Sequence, residues 1–148
     1  MIIRKITQSD SKNILALMRQ MPEFFSEETV EYAQEKIGKL TWFIVDEKQK
    51  VIWCIVFGKI KKDVAKIYWM AVDISSQGIW IGTSLFEIAE KELKQQNYKS
   101  LELITLWDHP DYPWYVKTRK FYEKMWCKQI SSYLEHDIEL LILSKNIQ

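Results

Sequence analysis

The segment KIYWMAVDISSQGIWIGTSLFEIAEKELKQQNYKSLELIT, residues 66–105, carries an apolar run at each end and a long amphipathic run between them. The first apolar run stops at Asp73, and the polar stretch that follows contains Gly78 and Gly82. From Thr83 onward the apolar residues recur at helical spacing. A strand, a helix and a strand in this order form a βαβ unit, so we predict that the two strands are parallel.

The remainder of the chain predicts a sheet with helices on it. The predicted strands are IIRKI, LTWFIVD, VIWCIVFGKI, VAKIYWMAV, SLELIT, QISSYLE and IELLILS. The first predicted helix is capped by Ser9 or Asp10 and ended by Pro22. The other predicted helices are EETVEYAQEKI, TSLFEIAEKELKQQ and TRKFYEKM. The order β-α-α-β-β-β-α-β-α-β-β predicts a mixed α/β fold with a mostly antiparallel central sheet.

Length and composition indicate one globular domain spanning residues 1–148, with 47% hydrophobic and 28% charged residues. The net charge of +1 gives no basic field that would favour nucleic acid. No apolar run reaches the length of a membrane span or resembles a signal peptide, so we expect a cytoplasmic protein with no membrane partner. Cys54 and Cys127 form no CxxC motif, which predicts reduced thiols and no metal site.

The glycines between the first strand and the helix predict an anion-binding site. The first amide groups of a helix have no partner within it and carry partial positive charge. A P-loop has a lysine directly after its last glycine, but here Gly82 is followed by Thr83. The GxGxxG motif of dinucleotide-binding proteins is also absent. ATP and NAD are therefore poor candidates for the anion.

Two motifs resemble those of the GNAT acetyltransferase superfamily. The sequence QGIWIG, residues 77–82, resembles the family signature of Arg or Gln, two residues, Gly, one residue, and Gly or Ala. Trp80 replaces the middle glycine. The sequence TRKFYEKMWC, residues 118–127, resembles the segment A-x-x-F-Y-E-K-x-G-F. Thr118 replaces the alanine, Trp126 the glycine and Cys127 the final phenylalanine. The order of the elements also resembles that family over nearly the whole chain.

The resemblance implies acetyl-CoA as co-substrate, with its pyrophosphate on backbone amides. The residues implied for the pyrophosphate are Gln77, Gly78, Ile79, Trp80, Ile81, Gly82 and Thr83. In the family the strand before this loop splays from its parallel neighbour, which implies backbone contacts of the pantetheine arm with Met70, Ala71 and Val72. Tyr115 stands where many relatives carry an asparagine that binds this arm.

Tyr122 is the candidate catalytic residue. In the family a tyrosine at this position points at the sulfur of CoA, and a phenol can protonate the departing thiolate. The alternative is a core tyrosine beside Phe121. Arg119, Lys120 and Lys124 either meet CoA phosphates or form a solvated helix face.

Neither the general base nor the acceptor is identified by the sequence. The carboxylates considered for the base are Glu23, Glu27, Glu28, Asp73 and Glu102; water or an already neutral amine is the alternative. The aromatic residues considered for the acceptor wall are Phe24, Phe25, Trp42, Trp53, Trp69, Trp107, Trp114 and Tyr133. They favour an amine with apolar or cationic character, on a small molecule or a peptide. They are equally consistent with a core or a homodimer patch.

Two functions are therefore carried forward. The first is an N-acetyltransferase that moves an acetyl group from acetyl-CoA directly to a primary amine. The second is a non-catalytic module of the same fold that binds CoA or a partner protein. This alternative remains because tryptophans replace glycines at two positions of the family motifs.

Overall fold

The fold was analysed in a computed structural model that describes residues 1–73, 75 and 79–148, with the side chain of Ile79 left out. The strands are β1 (Ile2–Lys5), β2 (Thr41–Glu47), β3 (Lys50–Lys61), β4 (Val64–Val72), β5 (Ser100–Leu106), β6 (Lys128–Glu135) and β7 (Ile138–Asn146). The α-helices of these described ranges are α1 (Ser11–Arg19), α2 (Glu27–Lys36), α3 (Ile79–Gln95) and α4 (Tyr115–Lys124).

The strands form one seven-stranded sheet with the order β1-β2-β3-β4-β5-β7-β6. β1 with β2, β2 with β3, β5 with β7 and β6 with β7 are antiparallel pairs. β4 and β5 are parallel, with Val64–Lys66 opposite Ser100–Glu102. The predicted mixed α/β class, its mostly antiparallel sheet and its parallel βαβ pair are confirmed.

Two helices begin earlier than their sequence patterns predict. α3 begins at Ile79 rather than Thr83, because buried Ile81 extends the apolar stripe by one turn. α4 begins at Tyr115 rather than Thr118. Trp114 is the N-cap of α4, and the carbonyl of Pro113 before it accepts a hydrogen bond from the Val116 amide at 3.3 Å. The first of these shifts converts the predicted glycine turn, over its described residues, into the first turn of a helix.

Contacts divide the chain into two compact units. The N-terminal unit comprises residues 1–58 and 68–89, and the C-terminal unit comprises residues 59–67 and 90–148. The sequence prediction of a single domain over 1–148 stays a prediction.

A hydrophobic core organises the N-terminal unit. It is formed by Ile14, Leu15, Leu17, Met18, Met21, Phe25, Val30, Ala33, Trp42, Ile44, Val51, Cys54, Val56 and Ala71. These side chains come from α1, α2, the segment between the two helices, and the strands, so the two helices bury their apolar faces on the sheet. Ser26 caps α2 by accepting a hydrogen bond from the Thr29 amide at 3.2 Å.

An ionic network ties the first strand of the N-terminal unit to its surroundings. The Arg4 guanidinium donates to both carboxylate oxygens of Asp10, at 2.8 and 2.9 Å, and to Asp46 at 2.9 Å. The Thr7 amide also donates to Asp10, at 2.7 Å. Asp10 is buried, and these donors, Arg4 above all, lower the pKa of its carboxyl to about 2.

The C-terminal unit is built on β5 and β7, whose buried residues include Leu101, Leu103, Leu141 and Leu143. β6 lies at the edge of the sheet with every residue exposed.

Both cysteines of the chain are free and buried. Burial raises the pKa of each thiol to about 12, which leaves neither as an effective nucleophile.

Candidate functional site

The amino end of α3 presents the amide groups that the sequence analysis assigned to an anion. The amides of Ile79, Trp80, Ile81 and Gly82 form the first helical turn, where no intrahelical acceptor exists. This turn has no acidic side chain that would compete for those amides. Gln77 and Gly78, the first two residues of the predicted motif, lie outside the described residues. The described part of the motif therefore supplies a positively polarised helix end.

The carboxyl end of β4 lies beyond the residues that pair with β5. The pairing recorded between these strands covers Val64–Lys66, and the predicted pantetheine contacts Met70, Ala71 and Val72 come after it. Ala71 is buried, while Met70 and Val72 are half-buried. The contacts of Met70, Ala71 and Val72 with pantetheine stay a prediction.

Asp73, one of the carboxylates considered as a base, is buried and committed to other partners. Lys50 Nζ lies 2.6 Å from its carboxylate. The amide and hydroxyl of Ser75 donate to it at 2.9 and 2.6 Å. Lys50 and Ser75 together lower the pKa of Asp73 to about 2. A carboxylate so acidic accepts a proton poorly near neutral pH, so Asp73 is better suited to holding the end of β4 than to general-base catalysis.

Tyr122 lies on α4 in the C-terminal unit and is buried. Its ring meets that of Phe121 edge to face, with centroids 5.4 Å apart. Burial, with smaller contributions from Cys127 and Tyr115, raises the pKa of the Tyr122 phenol above its ordinary value. Burial also raises the pKa of half-buried Tyr115. Both phenols are therefore protonated at neutral pH and can act as proton or hydrogen-bond donors.

Thr105 on β5 is a candidate that the sequence analysis missed. Its side chain is 1% exposed, and its hydroxyl has no hydrogen-bond partner among the described residues. An unsatisfied buried hydroxyl is costly, so Thr105 is a candidate hydrogen-bond donor to a bound molecule. A single threonine in an apolar strand gives no signal in the sequence.

Arg119 does not form the solvated helix face considered for it. Its side chain is mostly buried, bonds to Asp108, and donates to Glu123 at 3.1 Å. The guanidinium carbon also lies 4.5 Å from the centre of the Trp107 ring. These contacts hold the loop after β5 against α4, so Arg119 has a structural use that does not need CoA phosphates.

An open cavity of about 460 Å³ lies beside α2 and β4 in the N-terminal unit. Its lining residues are Glu28, Thr29, Glu31, Tyr32 and Glu35 of α2, and Trp69 of β4. Of the aromatic residues proposed for an acceptor wall, Trp69 lines this cavity, whereas Phe25 and Trp42 belong to the core. The helical spacing of the glutamates and Tyr32 is visible in the sequence, but their position opposite Trp69 is not.

The family model for the acetyltransferase (GNAT) family matches residues 12–125. The chain belongs to the GNAT acetyltransferase family. No curated protein matches the sequence significantly.

Three solved structures illustrate how the GNAT chain compares with known folds. A GNAT-family protein from Desulfovibrio desulfuricans superposes with a TM-score of 0.86 at 16% identity, covering 99% of each chain. An aminoglycoside 6'-N-acetyltransferase in complex with coenzyme A gives 0.81 at 18%, covering 100% of this chain and 98% of the other. The ribosomal-protein-S18-alanine N-acetyltransferase from Escherichia coli gives 0.77 at 17%, covering 99% and 93%. At these identities the similarity shows a shared fold.

The two tryptophans at GNAT glycine positions differ in their effect on the backbone. Trp80 lies within α3 without a positive φ, and its side chain is 61% exposed, so it leaves the helix end intact. Trp126 adopts φ 69° just after α4. There the Trp126 amide donates to the backbone carbonyl of Glu123 at 3.0 Å, and the Cys127 amide donates to the backbone carbonyl of Tyr122 at 3.0 Å. This is a Schellman motif, in which glycine is usual at the position of Trp126.

No helix in the described part of this GNAT protein is long and apolar enough to cross a membrane.

Proposed function

We propose that this protein is an acetyl-CoA-dependent N-acetyltransferase that transfers the acetyl group directly to a primary amine. The observation that carries the proposal is the amino end of α3, whose first-turn amides have no acceptor within the helix and whose first turn contains no acidic side chain. In a GNAT chain this is where the pyrophosphate of acetyl-CoA is expected. Residues 77–83 would hold that group, and Met70–Val72 would offer backbone groups to the pantetheine arm.

Acetyl-CoA has one chemical role in this reaction, which is to donate the acetyl group. It supplies an activated acetyl group as a thioester, which a neutral amine attacks so that an amide forms and CoA leaves as its thiol. The chain must then bind the cofactor, admit an amine without its extra proton, and supply a proton at the leaving sulfur.

Tyr122 is the proposed donor at the sulfur. Because burial keeps its phenol protonated, the proton is available at any pH at which the amine reacts. The raised pKa also makes complete transfer to a thiolate less favourable, since a thiol has a pKa of about 8.5. The phenol should therefore act by donating to the sulfur as the carbon–sulfur bond breaks. Any phenolate formed is reprotonated by the proton that the amine releases.

The binding site can be tested with a charge at the exposed Trp80 side chain. Trp80→Glu places a carboxylate in the first turn of α3, where it suits the helix dipole but opposes a phosphate. We expect roughly tenfold weaker acetyl-CoA binding by calorimetry, since like unit charges about 4 Å apart repel by about 1 kcal/mol in water and about 4 kcal/mol near a protein surface. Trp80→Gln is the matched neutral control. Equal affinity of the two variants would place the pyrophosphate elsewhere.

The alternative is a non-catalytic module of the same fold. It predicts acetyl-CoA or partner binding without release of free CoA thiol in a broad screen of amines. Release of thiol that depends on both acetyl-CoA and an amine would exclude it.

A further inference from the structure

The cavity beside α2 combines acidic and aromatic groups in a way that no assigned function explains. Glu28, Glu31 and Glu35 follow one another at intervals of three and four residues, so their carboxylates share one face of the helix. By helix geometry the outer two are separated by roughly 10 Å along the axis. Three carboxylates are thus spread along one wall of a space large enough for a small molecule.

These carboxylates form no ion pair within the described chain, residues 1–73, 75 and 79–148. Arg19 pairs with neighbouring Glu27 at 2.9 Å, and its charge also reaches Glu31 without pairing with it. Like charges at such helical spacing destabilise a helix by about 0.2–0.5 kcal/mol per pair. A cation bound in the cavity would relieve that repulsion.

The opposite wall of the cavity is formed by Trp69 of β4, and Tyr32 of α2 lies among the glutamates facing it. The Tyr32 and Trp69 rings meet edge to face with centroids 5.7 Å apart, and the Trp42 ring lies 6.1 Å from Trp69. Aromatic faces attract ammonium groups, and the chain's own Lys36 Nζ lies 5.2 Å from the centre of the Tyr32 ring.

The two walls place different demands on an amine. An ammonium group among the glutamates is stabilised in its charged form and becomes harder to deprotonate. An amine against the face of Trp69 is held only by the weaker cation–π attraction, so it loses its extra proton more readily than an amine among the glutamates. Trp69 also directly precedes Met70 of the proposed cofactor site. A substrate that uses both walls therefore needs one amine that stays charged and another that reacts.

We infer that the cavity binds the acceptor, and that the acceptor is a small polyamine with at least two amino groups several bonds apart. One or more ammonium groups lie along Glu28, Glu31 and Glu35, while a terminal amine lies at Trp69 and receives the acetyl group. The binding part of this inference stands on the cavity alone; only the choice of reacting amine rests on the proposed function.

Spermidine is a suitable probe, with n-butylamine as a matched monoamine. We expect calorimetry without acetyl-CoA to show spermidine binding that weakens as salt rises and binding of n-butylamine that is much weaker. The triple variant Glu28→Gln, Glu31→Gln and Glu35→Gln should raise the Kd for spermidine roughly tenfold or more. Glu27→Gln, on the same helix but already paired with Arg19, should change it less than threefold.

Further readouts separate the possible failures. The triple variant should melt no lower than the parent, because it removes repulsion, so loss of binding cannot be attributed to unfolding.

Equal spermidine affinity in the triple variant and the parent would overturn the inference, as would tighter glutamate-dependent binding of a lysine-rich peptide. Acetylation of n-butylamine as efficient as that of spermidine would overturn the inference while leaving acetyl transfer intact. Glutamate-dependent spermidine binding in a protein that does not bind acetyl-CoA would support the cation site and contradict the proposed function.

Discussion

Asp10→Asn should destabilise the protein in a pH-dependent manner. The substitution keeps the size of the side chain but removes the charge that Arg4 contacts with two hydrogen bonds. Folding lowers the pKa of Asp10 from 3.8 to about 2. At about 1.4 kcal/mol per pKa unit, this corresponds to roughly 2 kcal/mol of stability at neutral pH. Asp10 is buried, so screening by solvent does not erase a contribution of this size.

The sign follows from the direction of the shift. A carboxyl whose pKa is lowered by folding stabilises the native state above its unfolded pKa, and this contribution is lost as pH falls towards its folded pKa. The deficit of Asp10→Asn relative to the parent should therefore be full at pH 7, about half as large at pH 3, and small near pH 2. Urea unfolding at pH 7, 5, 4 and 3 measures it directly.

Asp46→Asn is the matched control, because Asp46 shares the same Arg4 through a single hydrogen bond and is more exposed. Its deficit at pH 7 should be smaller than that of Asp10→Asn. A deficit for Asp10→Asn that stayed constant from pH 7 to pH 3 would refute the electrostatic explanation and point to altered packing. A deficit below about 0.5 kcal/mol at pH 7 would mean that desolvation cancels the ion pair.

Two further predictions concern α4. Tyr122→Phe should lower kcat by about 10²–10⁴-fold with acetyl-CoA affinity nearly unchanged, measured by thiol release with an acceptor found in the amine screen. Tyr98→Phe removes the hydroxyl of a tyrosine after α3 that has no proposed role and serves as the control. Full turnover in a folded Tyr122→Phe protein would remove Tyr122 from the mechanism. Trp126→Gly should stabilise the protein by about 1 kcal/mol in urea unfolding, because φ 69° is unfavourable for a residue with a Cβ atom and this side chain is 76% exposed. Trp126→Ala keeps the Cβ atom and should show no such gain, so an equal gain in both variants would contradict the explanation.

Most of the fold could be predicted from local patterns in the sequence. The strands and helices follow from periodicity and turn residues over short windows, and the parallel β4–β5 pair follows from the βαβ order. The errors lie at helix starts. α3 begins at Ile79 because burial of Ile81 adds a turn, and burial depends on packing that a local pattern does not contain.

The sequence by itself also determined the family, because the motifs at residues 77–82 and 118–127 are contiguous and keep their spacing. Tertiary structure alone decided which charged side chains are paired within the fold and which are available for catalysis or binding. Asp73 and Arg119 become committed through Lys50 and Asp108.

The cavity likewise exists only in the folded chain, because α2 brings Tyr32 against Trp69 from a distant strand. Side-chain availability depends on contacts between residues far apart in the chain, and these form only when the core is packed.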